Sequence, residues 1–243
     1  MTPSNSNRIW FVVSTLLTVT LYVASLPPQL SYPFIWLSTF AHEMGHGLAS
    51  LLIGGDFDSF QMWSDGSGIA QTAGHTSRLG SAFVSAGGLV GPAVAALFCF
   101  FFARSERRAR AGCYLFGVLG VLATVLVVRN LFGIAFLLTL SLFTLTLAHR
   151  APAWLTQGWV TLLGVQLALS VFSRGDYLFT DKAITSGGTL PSDTAQMANA
   201  LLLPYWFWGG VCGGFSVFVL AIGLKLIWKP IAPQVLAELP PQP

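Results

Sequence analysis

Charged residues divide this chain into long apolar stretches. Uncharged runs extend over Ile9 to Ala41, Leu79 to Ala103, Ala111 to Val128, Asn130 to Ala148, Ala151 to Ser173 and Thr194 to Leu224. Charge is costly in hydrocarbon, so such runs mark membrane segments better than local propensity does. The first run is too long for one helix of about 20 residues, and Pro27, Pro28 and Pro33 supply the break. Arg129 and Asn130 divide the stretch from Ala111 to Ala148 into a tight helical pair. The pattern predicts an all-α polytopic membrane protein with about seven transmembrane helices, near 9–26, 33–53, 79–103, 111–128, 130–148, 152–173 and 203–228. All of them belong to a single domain over 1–243, and the sequence shows no repeat and no appended soluble unit.

Two connections are long. In 54–78, alternating residues flank Asp65-Gly66-Ser67-Gly68, a turn sequence that predicts a small β-hairpin just after the second helix. The segment 174–202 reads as a loop rich in ionisable residues. Ser81, Ser85, Gly88 and Gly91, then Gly209 with Gly213 and Gly210 with Gly214, recur at the spacing that lets helices approach closely in lipid. This reads as packing without functional content. The first apolar segment is long, runs into Pro27-Pro28 and lacks a small-x-small cleavage signal, so it is expected to stay as a helix.

Composition agrees with the pattern. Of 243 residues 54% are hydrophobic and 9% charged, against about 25% charged in an ordinary soluble domain, and mean hydropathy is +0.70. The net charge of +3 comes from 12 Lys and Arg against 9 Asp and Glu, too scattered for a nucleic-acid surface. Cys99, Cys113 and Cys212 form no C-x-x-C pair and suggest neither a disulfide framework nor a thiolate metal site. Arg104, Arg107, Arg108 and Arg110 share one short loop, which the positive-inside rule places on the cytoplasmic face. With seven crossings, Arg150, Lys225 and Lys229 fall on that face too, and Arg8, Arg78, Arg129, Arg174 and Lys182 fall opposite.

The second helix contains S-T-F-A-H-E-M-G-H-G-L-A-S. His42 and His46, at i and i+4, project from one helical face, where both imidazoles can reach one tetrahedral zinc ion. Glu43 is the only carboxylate in any predicted span, and one position on it points beside the metal, where a general base takes a proton from zinc-bound water. Gly45 and Gly47 remove side chains beside the ligands and leave room for a peptide. A catalytic zinc site needs a third protein ligand. His75, in the hairpin loop, and His149, beside Arg150 at a helix end, are poor candidates. Asp176 follows the sixth helix, and Asp193 precedes the last one, where Ser192 or Asp193 also reads as a helix cap. Arg129 and Asn130 are polar enough to hold an oxyanion but are left out of the site.

These residues resemble the site-2 protease family of intramembrane zinc metallopeptidases, in its compact branch without a PDZ or CBS domain. The likeness rests on A-H-E-M-G-H-G, G-S-G-I-A-Q-T, S-A-G-G-L-V-G-P-A, F-S-R-G-D and S-D-T-A-Q-M-A. The resemblance implies that His42, His46 and an aspartate hold Zn2+ while Glu43 activates water. The family's N-x-x-P-x-x-x-L-D-G signature is absent, which leaves Asp176 as the preferred third ligand and Asp193 as the alternative. It further implies cleavage of membrane-protein substrates in or near their transmembrane segments, by a multi-pass enzyme of the plasma (bacterial inner) membrane. A helical substrate must unwind before water reaches its peptide bonds, and the 54–72 hairpin offers a strand edge for the unwound form. The competing class is a non-hydrolytic membrane protein, a metal carrier or an inactive scaffold. A carrier would spread acidic and His residues along a path, and a scaffold has no need of Glu43.

Overall fold

The computed structural model describes residues 3–23, 28–74, 77–173, 178–185 and 188–228. In chain order these are α1 (Pro3–Val23), a 3-10 turn (Pro28–Leu30), α2 (Tyr32–Leu52), β1 (Asp56–Met62), β2 (Gly68–Ala73), α3 (Arg78–Ala103), α4 (Glu106–Leu126), α5 (Leu131–Arg150), α6 (Ala153–Ser173), β3 (Lys182–Thr185), β4 (Gly188–Pro191), α7 (Asp193–Leu201) and α8 (Tyr205–Trp228). The protein is mostly helical. Among the described residues four helices, α3, α4, α5 and α8, are long and apolar enough to cross a membrane; the charge pattern led us to expect about seven spans. Leu16, Leu115, Val125, Leu142 and Phe218 stand exposed on the helices, as lipid-facing side chains do.

Helix starts follow local chemistry. Ser77 Oγ accepts from Gly80 N, and Ser105 Oγ accepts from Arg108 N, each serving one of the four unpaired N–H groups of a helix start. Pro33 opens α2, where a missing N–H costs nothing. α3 is the central helix and packs on α2, α4, α6, α7 and α8. Its seam with α2 is backbone against backbone: a methyl at Gly45 would overlap the Gly87 carbonyl, and one at Gly91 would lie 2.6 Å from the Ala41 carbonyl.

The expected hairpin is present as antiparallel β1 and β2, with Phe60 opposite Ala70. It gains one isolated bridge partner, Val128, that the sequence reading lacked. Phe60 N donates to Val127 O at 2.7 Å and Phe60 O accepts from Arg129 N at 2.9 Å, a parallel bridge to the α4–α5 connection. Asn130 completes this edge, its Nδ2 donating to Met62 O at 2.6 Å while its Oδ1 accepts from Met62 N at 3.3 Å. Since Phe60 turns both backbone groups toward 127–129, Ala70 opposite it turns its own away from β1. The segment 174–202, expected as a plain loop, contains a second hairpin and the short helix α7.

Both ends of the bundle meet. Arg8 lies over the Trp228 ring at 5.1 Å, Phe11 packs on Phe100 and Trp228, and Trp10 stacks on Trp154. The start of α1 and the end of α8 therefore share one end of the molecule, whereas the seven-crossing tally put Arg8 opposite Lys225. The tally fails because it counted crossings along the chain, and one helix more or fewer inverts every residue on its far side.

Candidate metal centre

One turn of α2 and the first residue of α7 build the site. His42 and His46 present their Nε2 atoms 3.2 Å apart, and Asp193 reaches between them, with Oδ2 at 3.1 Å from His42 Nε2 and Oδ1 at 3.4 Å from His46 Nε2. The candidate ligand atoms all fall within 4.8 Å of one another. His46 Nδ1 lies 2.9 Å from Val84 O. A carbonyl only accepts, so Nδ1 carries the proton and a neutral His46 turns the Nε2 lone pair inward.

This donor set fits a metal ion. Two donors about 2.0–2.2 Å from one ion at a tetrahedral angle lie about 3.3–3.6 Å apart, close to the 3.2 Å between the two Nε2 atoms, and the Asp193 carboxylate spans the pair with one oxygen near each nitrogen. Oδ2 of Asp193 is buried and has no hydrogen bond of good geometry. Lone pairs of two imidazoles and a carboxylate converging in a buried place repel unless a cation or proton lies among them. Burial by itself would raise the Asp193 carboxyl, but positive charge at His46 and His42 holds it well below the usual carboxylate range, so the carboxylate is an anionic donor wherever a proton or a metal ion supplies that charge.

Each ligand is held by its neighbours. Ser192 Oγ accepts from Ala195 N and donates to Thr180 O at 2.6 Å, while Thr194 Oγ1 donates to Thr180 O at 3.1 Å. Both residues are fully buried. Ser192 therefore does the capping, and the Asp193 carboxylate is left for the histidines. On α3, a methyl at Gly88 would overlap the His46 ring, so the ring rests on bare backbone. The stripe of small residues that read as packing alone thus also seats the imidazole of a candidate ligand. Gly45 and Gly47 differ from expectation too. Gly45 meets Gly87, and a side chain at Gly47 would strike the Phe57 ring; both positions are filled by this chain, leaving no room there for a peptide.

Glu43 is buried at 6% exposure. Its Oε1 would be 3.2 Å from a methyl on Gly68, the first residue of β2. The hairpin tip is fastened above it: Thr39 Oγ1 donates to Gly66 O at 2.6 Å and Trp36 Nε1 donates to Ser64 O at 3.1 Å. Trp36, Thr39 and Glu43 are spaced along one face of α2. Asp176 and His75 lie outside the described residues. His149 is exposed in the last turn of α5, Arg129 donates to the Val125 and Leu126 carbonyls at the end of α4, and Asn130 clasps β1, so none of the three joins the cluster. Thr39, Gly68, Gly88 and Val84 are the contributors that sequence reasoning missed; Gly88 alone had a signal, in its small-residue stripe.

A polytopic helical fold carrying a buried His, His and Asp cluster beside a Glu describes a membrane metallopeptidase. The chain belongs to the Peptidase M50B-like family, whose pattern matches residues 13–223. No curated protein and no solved structure matches it.

Proposed function

We propose that this protein is an intramembrane zinc metalloprotease of the site-2 protease type, hydrolysing peptide bonds in or near transmembrane segments of membrane proteins. The observation that carries this reading is the convergence of His42 Nε2, His46 Nε2 and an Asp193 carboxylate oxygen beside buried Glu43. His42, His46 and Asp193 hold the ion, and two neutral imidazoles with one carboxylate suit zinc. Bound there, zinc supplies a Lewis acid that polarises the scissile carbonyl and acidifies water. Glu43 takes the proton from the attacking water at its carboxylate and returns it to the leaving amine, a role worth about 10²–10⁴ in rate. Gly68 backbone and Thr39 wall off Glu43 from one side and keep bulk water from competing.

The substrate must be extended at the site, since a helix hides its carbonyls in its own hydrogen bonds. The outer edge of β2 supports a place for it. Its inner edge pairs with β1, the far edge of β1 is taken by 127–129, and β2 adjoins Glu43 through Gly68. An added strand pairs there through main-chain bonds.

Metal content and cleavage of single-span membrane peptides, measured on the full chain in detergent, test this reading. About one zinc is expected in the parent, lost in His46→Ala and Asp193→Ala but kept in Glu43→Gln, with cleavage abolished in all three. Retention of metal in Asp193→Ala with loss in Asp176→Ala moves the third ligand to Asp176. A folded parent without metal overturns the reading.

A further inference from the structure

The end of the bundle where α1 begins and α8 finishes is strongly basic. Arg8, Arg104, Arg107, Arg108, Arg110, Arg150 and Lys225 cluster there, with Glu106 the one carboxylate among the described residues. Between the first turns of α4 and the start of α6 it opens a shallow cavity of about 520 Å³, wide open on its outer side and lined by Glu106, Arg107, Arg110, Ala111, Tyr114 and Ala153. The proteolytic reading has no use for it.

We propose that this cavity seats the headgroup of a monoanionic phospholipid, with an acyl chain along α4. The two guanidiniums are arranged differently. Arg110 is fixed, Nη1 donating to Ala148 O at 3.1 Å and Nη2 to Ala151 O at 2.9 Å. These carbonyls orient the group without neutralising it. Arg107, one turn earlier on the same face, is exposed and makes no ion pair among the described residues. A phosphodiester takes paired N–H donors from such planar groups. Two guanidiniums and the Glu106 carboxylate leave one net positive charge, which matches one phosphodiester.

Below the charged mouth the site turns apolar. Arg107, Ala111, Tyr114, Val118 and Leu122 run down one exposed stripe of α4, with Tyr114 41%, Val118 48% and Leu122 48% exposed. Exposed Trp154 stands at the same level on α6, where aromatic rings mark the water–lipid interface. A free anion would use only the mouth. A lipid uses both, and anionic lipids are held by basic pockets of this kind between membrane helices.

Thermal unfolding of the full chain in dodecyl maltoside tests this, with phosphatidylglycerol, phosphatidylcholine or inorganic phosphate added in turn. Phosphatidylglycerol is expected to raise Tm by about 5–10 °C at about a hundred times its dissociation constant, and native mass spectrometry should show it retained. Phosphatidylcholine and phosphate should do neither. Arg107→Gln changes an exposed side chain and should fold, yet lose both effects; Lys182→Gln, an exposed cation outside this end, should keep them. The proposal is overturned if phosphatidylcholine acts equally, if phosphate alone reproduces the shift, or if Arg107→Gln responds like the parent. None of these readouts depends on bound metal or on proteolysis.

Discussion

At Gly88 the helix seam and the candidate metal centre meet on one Cα. The His46 ring lies where a methyl on Gly88 would be, and its Nδ1 is tied to Val84 on the same helix. Gly88→Ala must therefore push the ring off that carbonyl while costing α3 nothing in helix propensity, since alanine is the better helix former. We expect Gly88→Ala to weaken metal affinity by about 10–100-fold, the usual cost of disturbing a ligand's support, with helix content unchanged by circular dichroism. Gly210→Ala, which meets nothing within 4 Å, should leave affinity as it was; equal effects of the two would show that Gly88 only packs. Ser192→Ala belongs to the same scale. It removes the α7 cap and the tie to Thr180, so it should lower stability by about 1 kcal/mol and lower metal affinity as well by loosening Asp193.

For single elements, the hairpin poses a question that proline can answer. Ala70 turns its N–H away from β1, whereas its neighbour Ile69, paired with Gln61, turns inward. Proline is tolerated on an edge strand where the missing N–H faces outward. Ala70→Pro should leave hairpin and metal content intact and reduce cleavage of a transmembrane peptide at least tenfold. Ile69→Pro should break the ladder and disorder the hairpin. Full cleavage by Ala70→Pro would remove the β2 edge as the substrate's docking strand. Asn130→Ala tests the opposite edge: it deletes two hydrogen bonds to Met62, about 1–3 kcal/mol in all, and should raise amide exchange in β1 without touching the metal. The elements differ in how readable they were. Asp65-Gly66-Ser67-Gly68 announces its hairpin because turn chemistry is local. Nothing local announces that 127–129 lies against Phe60, nor that Trp36 and Thr39 fasten the tip to α2, since those bonds go to backbone atoms from residues that elsewhere sit in any apolar helix. α7 was half hidden: Ser192 or Asp193 reads as a helix cap, but nine residues with four polar side chains do not show that a separate short helix follows it before the last span.

For the whole molecule, His42, Glu43 and His46 were legible because a helix fixes their spacing, whereas for the third donor the sequence offered both Asp176 and Asp193, because only tertiary folding brings residue 193 to residue 42. Sidedness suffered in the same way. Counting crossings along a sequence accumulates error, while one contact between distant segments removes it: Arg8 over Trp228 brings the first and last helices to one end. Any chain whose two ends share a face crosses the membrane an even number of times. With Arg8 moved, that face gathers Arg8, Arg104, Arg107, Arg108, Arg110, Arg150 and Lys225, against Arg78, Arg129 and Lys182 among the described residues elsewhere. The asymmetry that the positive-inside rule reads is thus stronger than in the seven-crossing tally, and by that rule we expect the start of α1 and the end of α8 on the cytoplasmic side. Epitope tags at the two termini of one chain, in sealed vesicles of known orientation, check this directly. Added protease should remove both tags together from inside-out vesicles and neither from right-side-out ones, while a single cysteine at Lys182 should label with the reverse preference. If one tag is cut and the other protected, the number of crossings is odd, and the stack of Arg8 on Trp228 does not form in the membrane.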